Sequence, residues 1–114
     1  MIAIYQIALS DNDVISANAR GFDAVPNVFA KTSLMLGFKK WKAEYAKLFT
    51  KAYEVDTDDL EQAFESTNLW NDNLVTRVRR GSSTSVGDIA VKDGVCYFCD
   101  NFGWVAMGKY EGLN

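Results

Sequence analysis

The sequence predicts an α+β domain, with an antiparallel sheet of about four to six strands, two to three helices packed on it, and a C-terminal β-meander. Three observations carry this. Ile89-Ala90-Val91-Lys92 and Val95-Cys96-Tyr97-Phe98-Cys99 are β-prone runs separated by Asp93-Gly94. That dipeptide suits a type I′ turn, which needs positive φ at both central residues. Ile2 to Leu9 is apolar on both alternating faces, as a strand covered on both sides would be. Two further stretches, around Val25–Leu36 and Leu60–Thr67, space their apolar residues as helices do.

Taken in order, Ile2 to Leu9 is the central strand, and Ser10-Asp11-Asn12-Asp13 reads as a turn that ends it. Val14 to Ala19 alternates weakly and reads as a short strand or extended loop. Asp23 is placed to cap a helix from about Ala24, with Pro26 in its first turn. Val25, Val28, Phe29, Thr32 and Leu36 fall on one face of that helix, and Gly37 closes it. Phe38, Trp41, Tyr45 and Leu48 suggest a second helix over roughly Lys39 to Lys47. Phe49, Lys51, Tyr53 and Val55 then alternate as a strand, although periodicity alone also allows the helix to run on to Ala52. Asp56 or Thr57 is the expected cap of the next helix, lined by Leu60, Ala63, Phe64 and Thr67. Asp58, Asp59 and Glu61 complement its positive end. Trp70 to Asn73 reads as a loop and Val75 to Arg79 as one more strand. After the hairpin, Asp100-Asn101-Phe102-Gly103 makes a second turn into Trp104–Met107.

The stretch Ser83 to Trp104, STSVGDIAVKDGVCYFCDNFGW, resembles a pattern in small uncharacterised bacteriophage proteins. It is similar to the YodL-type domain of mobile elements. The matching residues are Ser83, Ser85, Val86, Asp88 and Ile89, then Asp100, Gly103 and Trp104. Upstream, Tyr53-Glu54 and Leu60 to Asn68 are similar to that family's strand and helix. Trp104 stands where the family has Phe, and Trp70 to Arg80 departs from its Pro-containing loop. The resemblance implies a phage or mobile-element setting and a fold, with no chemistry attached.

At 114 residues, the chain fits one domain spanning 1–114, able to bury roughly 65% of its unfolded surface. No apolar run approaches the ~18 residues of a membrane span. MIAIYQIAL lacks a basic n-region and a cleavage site, so the cytoplasm is expected, that of a host cell if the gene is phage-borne. The net charge of −3 weighs against general nucleic-acid affinity. The charge is segregated, however. Lys39 to Lys51 carries five lysines against Glu44; Glu54 to Asp72 carries seven acids and no base; Arg77, Arg79 and Arg80 follow.

Candidate chemistry is sparse. Cys96 and Cys99 match C-x-x-C, a redox or zinc motif. In a strand, however, their Cα atoms lie about 10 Å apart on opposite faces, which favours packing. With no histidine, Ser-His-Asp and Cys-His systems are unavailable. Asp88 with Asp100, or Asp56 with Asp58 and Asp59, could act as acid and base or hold a metal. The competing reading caps turns with them. Arg77 and Arg79 on one strand face could meet phosphates, with Trp70 or Tyr97 stacking on bases; otherwise they guard a solvated edge. The acidic helix is a solvated face, a binding face or a weak DNA mimic. Trp70 and Trp104 are the candidate exposed aromatics. Ser83, Ser85, Gly87, Asp88, Asp93, Gly94, Asp100, Gly103 and Trp104 form the structural motif. Trp70, Arg77, Arg79, Arg80, Asp58, Asp59 and Glu61 are the candidate contacts. The expectation is a cofactor-free, non-enzymatic accessory protein that binds a host protein; a nucleic-acid module built on the arginines and Lys39–Lys51 is the alternative.

Overall fold

In the computed structural model, residues 1–109 and 113 are described. The strands are β1 (Ile2–Ile7), β2 (Phe49–Val55), β3 (Val75–Arg77), β4 (Ile89–Lys92), β5 (Val95–Asp100) and β6 (Gly103–Lys109). They form one antiparallel sheet in the order β3-β2-β1-β4-β5-β6. β1 is central, as its two apolar faces require. The hairpin and meander stand where expected: Asp93 and Gly94 have φ of 52° and 76°, and Asp100 pairs with Gly103 across the second turn.

Both faces of the sheet are covered. On one, Tyr5, Ile7, Phe49, Ile89, Cys96 and Phe98 meet Ala30 and Leu34 of α2 (Pro26–Leu34), with Tyr45 beside them. On the other, Ile2, Ile4, Tyr53, Val55, Val75 and Ala90 meet Ala63 of α3 (Leu60–Leu69). Burying about 25 cal/mol per Å2 of apolar surface on each face holds the layers together. A helix α1 (Asp11–Arg20) lies on α2 and the 3-10 turn Phe22–Ala24, joined by the small cluster Ala17, Val25 and Val28.

Several expectations need correction. Ser10 to Asp13 does not end the strand in a turn; it starts α1. Ser10 Oγ accepts from Asp13 N at 3.0 Å and Asp13 Oδ2 accepts from Ser10 N at 2.9 Å. This reciprocal capping satisfies two orphan donors, so Val14 to Ala19 is helical, neither strand nor loop. Asp23 sits in the 3-10 turn, and α2 begins at Pro26 with Val25 as its cap. Its buried residues are Val28, Ala30 and Leu34, serving α1 on one side and the sheet on the other; Phe29, Thr32 and Leu36 face out. The proposed helix over Lys39 to Lys47 is two 3-10 segments, Phe38–Lys40 and Ala43–Leu48, broken by extended Trp41. The break lets Phe38 and Trp41 both reach Phe98, with ring centroids 5.3 and 6.3 Å away.

The β2 strand carries the less obvious correction. Ile4 pairs with Tyr53 but Tyr5 pairs with Lys51, so Ala52 is the extra residue of a β-bulge. The bulge reverses the facing of the strand: Phe49 joins the α2 side, while Tyr53 and Val55 join the α3 side. The freed Ala52 carbonyl accepts from Val78 N at 2.9 Å. α3 is capped by Asp59, whose Oδ1 accepts from Glu61 N and Gln62 N, and not by Asp56 or Thr57. Thr57 instead accepts from Asp59 N and supports the cap. β3 stops at Arg77, short of Arg79.

Candidate functional site

The segment 81–88 is pinned against the sheet by a buried polar network. Gln6, on β1 and 1% exposed, donates through Nε2 to Ser82 O at 2.8 Å and to Asp88 Oδ2 at 2.9 Å. Its Oε1 accepts from Ser82 N at 3.1 Å, and Tyr53 donates its hydroxyl to Ser82 O at 2.9 Å. Asp88 Oδ2 also accepts from Ser85 N at 3.0 Å. Nearby, Thr84 and Thr67 of α3 share a hydroxyl hydrogen bond of 2.6 Å, and Asn68 Nδ2 donates to Thr84 O. A Cβ on Gly81 would meet Gln6 Oε1 at 2.6 Å and the Tyr53 hydroxyl at 2.8 Å, so any larger residue must displace those two side chains from the network. Gly87, with φ of 100°, lies against Leu34.

Asp88 is 3% exposed, and burial pushes its carboxyl up to about 6. Lys31, the hydrogen bonds from Ser85 and Gln6, and the Arg79 charge oppose that rise. Asp100 is spent separately: its Oδ1 accepts from Phe38 N at 3.2 Å and Asn101 N at 2.9 Å, tying a 3-10 segment to the meander. The two carboxylates are thus bonded to different backbone segments. Ser83 and Ser85 contribute backbone groups, whereas Thr84 between them is the buried hydroxyl. Gln6, Gly81 and Thr84 are the network residues that sequence reasoning missed. A lone buried-strand Gln was the available signal.

Cys96 and Cys99 are free and buried. Cys96 packs with Phe98 on the α2 side, and strand alternation turns Cys99 to the other. Burial pushes the Cys99 thiol up to about 12, with Asp88, Glu61 and Asp100 adding to the rise. Among the described residues, no three His, Cys, Asp or Glu side chains are grouped to hold a metal.

The arginines do not share a strand face. Arg77 lies over the Trp70 ring at 4.2 Å, and Trp70 in turn packs edge-on against Tyr53 at 5.5 Å. Arg79 lies beyond β3 and folds inward. Its Nε donates to Thr50 Oγ1 at 2.7 Å, its Nη2 to Gln6 O and Thr50 O, and its Nη1 to Arg80 O. Arg80 is exposed. Trp70 and Trp104 are half-buried rather than exposed, packed against the α3-side core. Asp58, Asp59 and Glu61 are exposed at one end of the sheet, where Asp59 is spent as a cap. The Met1 amine holds the Asp58 carboxyl below its usual range.

The exposed apolar side chains lie elsewhere. Of eleven large ones among the described residues, seven fall within residues 9–36: Leu9, Val14, Ile15, Phe22, Phe29, Met35 and Leu36. Ile15 is 64% exposed, Phe22 56% and Phe29 43%. Phe29 also borders a groove of about 310 Å3 with Pro26, Tyr45 and Leu48, rimmed by Lys42, Lys47 and Glu44. Lys39 and Lys40 are exposed nearby in sequence. Comparison with protein-family models, with curated proteins and with solved structures returns no match. No helix among the described residues is long and apolar enough to cross a membrane.

Proposed function

We propose that this chain is a small non-enzymatic accessory protein that binds another protein through its α1–α2 layer. The single observation behind this reading is the concentration of exposed apolar side chains on residues 9–36. A helical layer that buries only Ala17 of α1 and leaves Ile15, Phe22 and Phe29 in water has surplus apolar surface of the kind that marks protein contacts. The lysines at the groove beside Phe29 suit a partner segment with an apolar anchor and acidic flanks. The 83–104 motif supports the reading from the other direction, because its Asp88, Asp100 and glycines are committed to the fold. On the strength of the motif's resemblance, the partner is a host protein and the setting a bacteriophage or mobile element in the host cytoplasm.

The experiment is capture from bacterial lysate followed by reconstitution with the purified partner. Ile15→Ser with Phe29→Ser should weaken the reconstituted complex at least about tenfold, a loss of about 1.4 kcal/mol. Trp70→Ala should leave it unchanged. A complex indifferent to the first variant, or no partner from any lysate tried, would overturn the reading.

A further inference from the structure

A second concavity is lined jointly by the α1–α2 layer and the segment beyond β3. Where β1 runs out and the chain passes from Arg79 to Ser82, a cleft of about 420 Å3 opens, within the size range of small-molecule sites. Ile7 and Leu9 form apolar wall, and Lys31, Arg79, Arg80 and Ser82 supply polar groups. Three cations therefore line the cleft against one acid, Asp11. Asp88 lies behind, buried and already bonded to Gln6 and Ser85.

The state of Arg79 is the decisive feature. Its four hydrogen bonds all go to neutral oxygens, and among the described residues no carboxylate bonds to it. Burial lowers the affinity of the guanidinium for its proton, and the nearby Tyr53 and Asp88 offset this only in part. Of its five N–H groups, four are used and one on Nη1 remains. That remaining N–H can donate one charge-assisted bond to a phosphate oxygen, from a guanidinium already held in place by the other four. Lys31 reaches over the same cleft from α2, its Nζ only 3.4 Å from Ile7 O, a long bond that it can exchange for an anion. Gly81 brings Arg80 to the rim by letting the backbone press onto Gln6 and Tyr53.

We infer that this cleft binds a small phosphorylated ligand, its phosphate held by Lys31, Arg79 and Arg80 and its organic part against Ile7 and Leu9. The site shares Leu9, Asp11 and Lys31 with the layer proposed above but not Ile15, Phe22, Phe29, Arg79 or Arg80, so loss of phosphate binding on Arg80→Ala and loss of the protein complex on Ile15→Ser with Phe29→Ser are separable outcomes. The test is calorimetric titration of the whole chain with pyrophosphate and with a nucleoside diphosphate at ~50 mM salt, where phosphate contacts are strongest. Saturable binding is expected, weakened about tenfold or more by Arg80→Ala and by Lys31→Ala, each the loss of one charge-assisted contact. Lys40→Ala should leave it unchanged, and circular dichroism should show each variant folded. Tighter binding of the nucleoside diphosphate than of pyrophosphate would assign the apolar wall to the organic group. Absence of binding, equal weakening by Lys40→Ala, or binding of an oligonucleotide alone would overturn the inference.

Discussion

Asp88 shows how one carboxyl can tie a loop to a sheet and still cost stability. Its pKa in the fold, about 6, lies above the ordinary value of 3.8. The folded state therefore holds this proton more tightly than the unfolded chain does. Its contribution is most favourable below about pH 4, falls as pH rises towards 6, and is level above that. A shift of this size corresponds to about 3 kcal/mol. Asp88→Asn keeps an oxygen for Gln6 and Ser85 without the buried charge. Urea midpoints between pH 4 and 7 should show the variant gaining on the parent as pH rises; a gap independent of pH would refute the assignment. Gly81→Ala should cost about 1–3 kcal/mol, because the new methyl overlaps Gln6 and Tyr53, and a loss of thermal stability measures it. Cys99, with its thiol pushed up to about 12, should escape alkylation at pH 8 in the native protein and react once unfolded, which peptide mapping would establish. None of these environments was readable from residue type. Asp88 was singled out as a motif residue, but its partner Gln6 lies 82 positions away.

Among the elements, those governed by local chemistry were legible. The Asp93-Gly94 hairpin, the two-residue second turn and the buried character of β1 all follow from short-range pattern. The elements that depend on distant contacts were not. Ser10 and Asp13 carry the residues of both a turn and a capping box, and the helix they cap is held by its packing on α2 and the Phe22–Ala24 turn. Ser10→Ala should cost about 1 kcal/mol and loosen residues 11–20 in hydrogen exchange. The bulge at Ala52 left no mark in the alternation of Phe49, Lys51, Tyr53 and Val55, because both faces of the sheet are covered and Phe49 is buried on the α2 side while Tyr53 and Val55 are buried on the α3 side. The sheet edges are defended by the same means: β3 is three residues long, and β6 has an extra residue at Met107 followed by Gly108 at φ of 99°. Gly94→Ala tests the hairpin. At φ of 76° an L-residue loses about 1–2 kcal/mol, to be seen as a lower unfolding midpoint.

For the molecule as a whole, composition conveyed the class but misplaced the surface. Charge segregation directed attention to the acidic run and the arginines. In the fold Asp59 caps, Arg79 turns inward and Arg77 covers Trp70. The apolar layer of residues 9–36 escaped because Val14 to Ala19 was not read as helical and α2 was given the wrong face. Its position could be read only after the sheet had claimed Ala30 and Leu34. The central place of β1 has a further consequence for how the protein is made. Its neighbour on one side is β2, but on the other it is β4, where Ala3 meets Val91. The chain must therefore be synthesised through Val91 before β1 gains its second partner. Until then the nascent chain carries an apolar ribbon open along one flank, and premature termination before Ile89 would yield a fragment prone to clump.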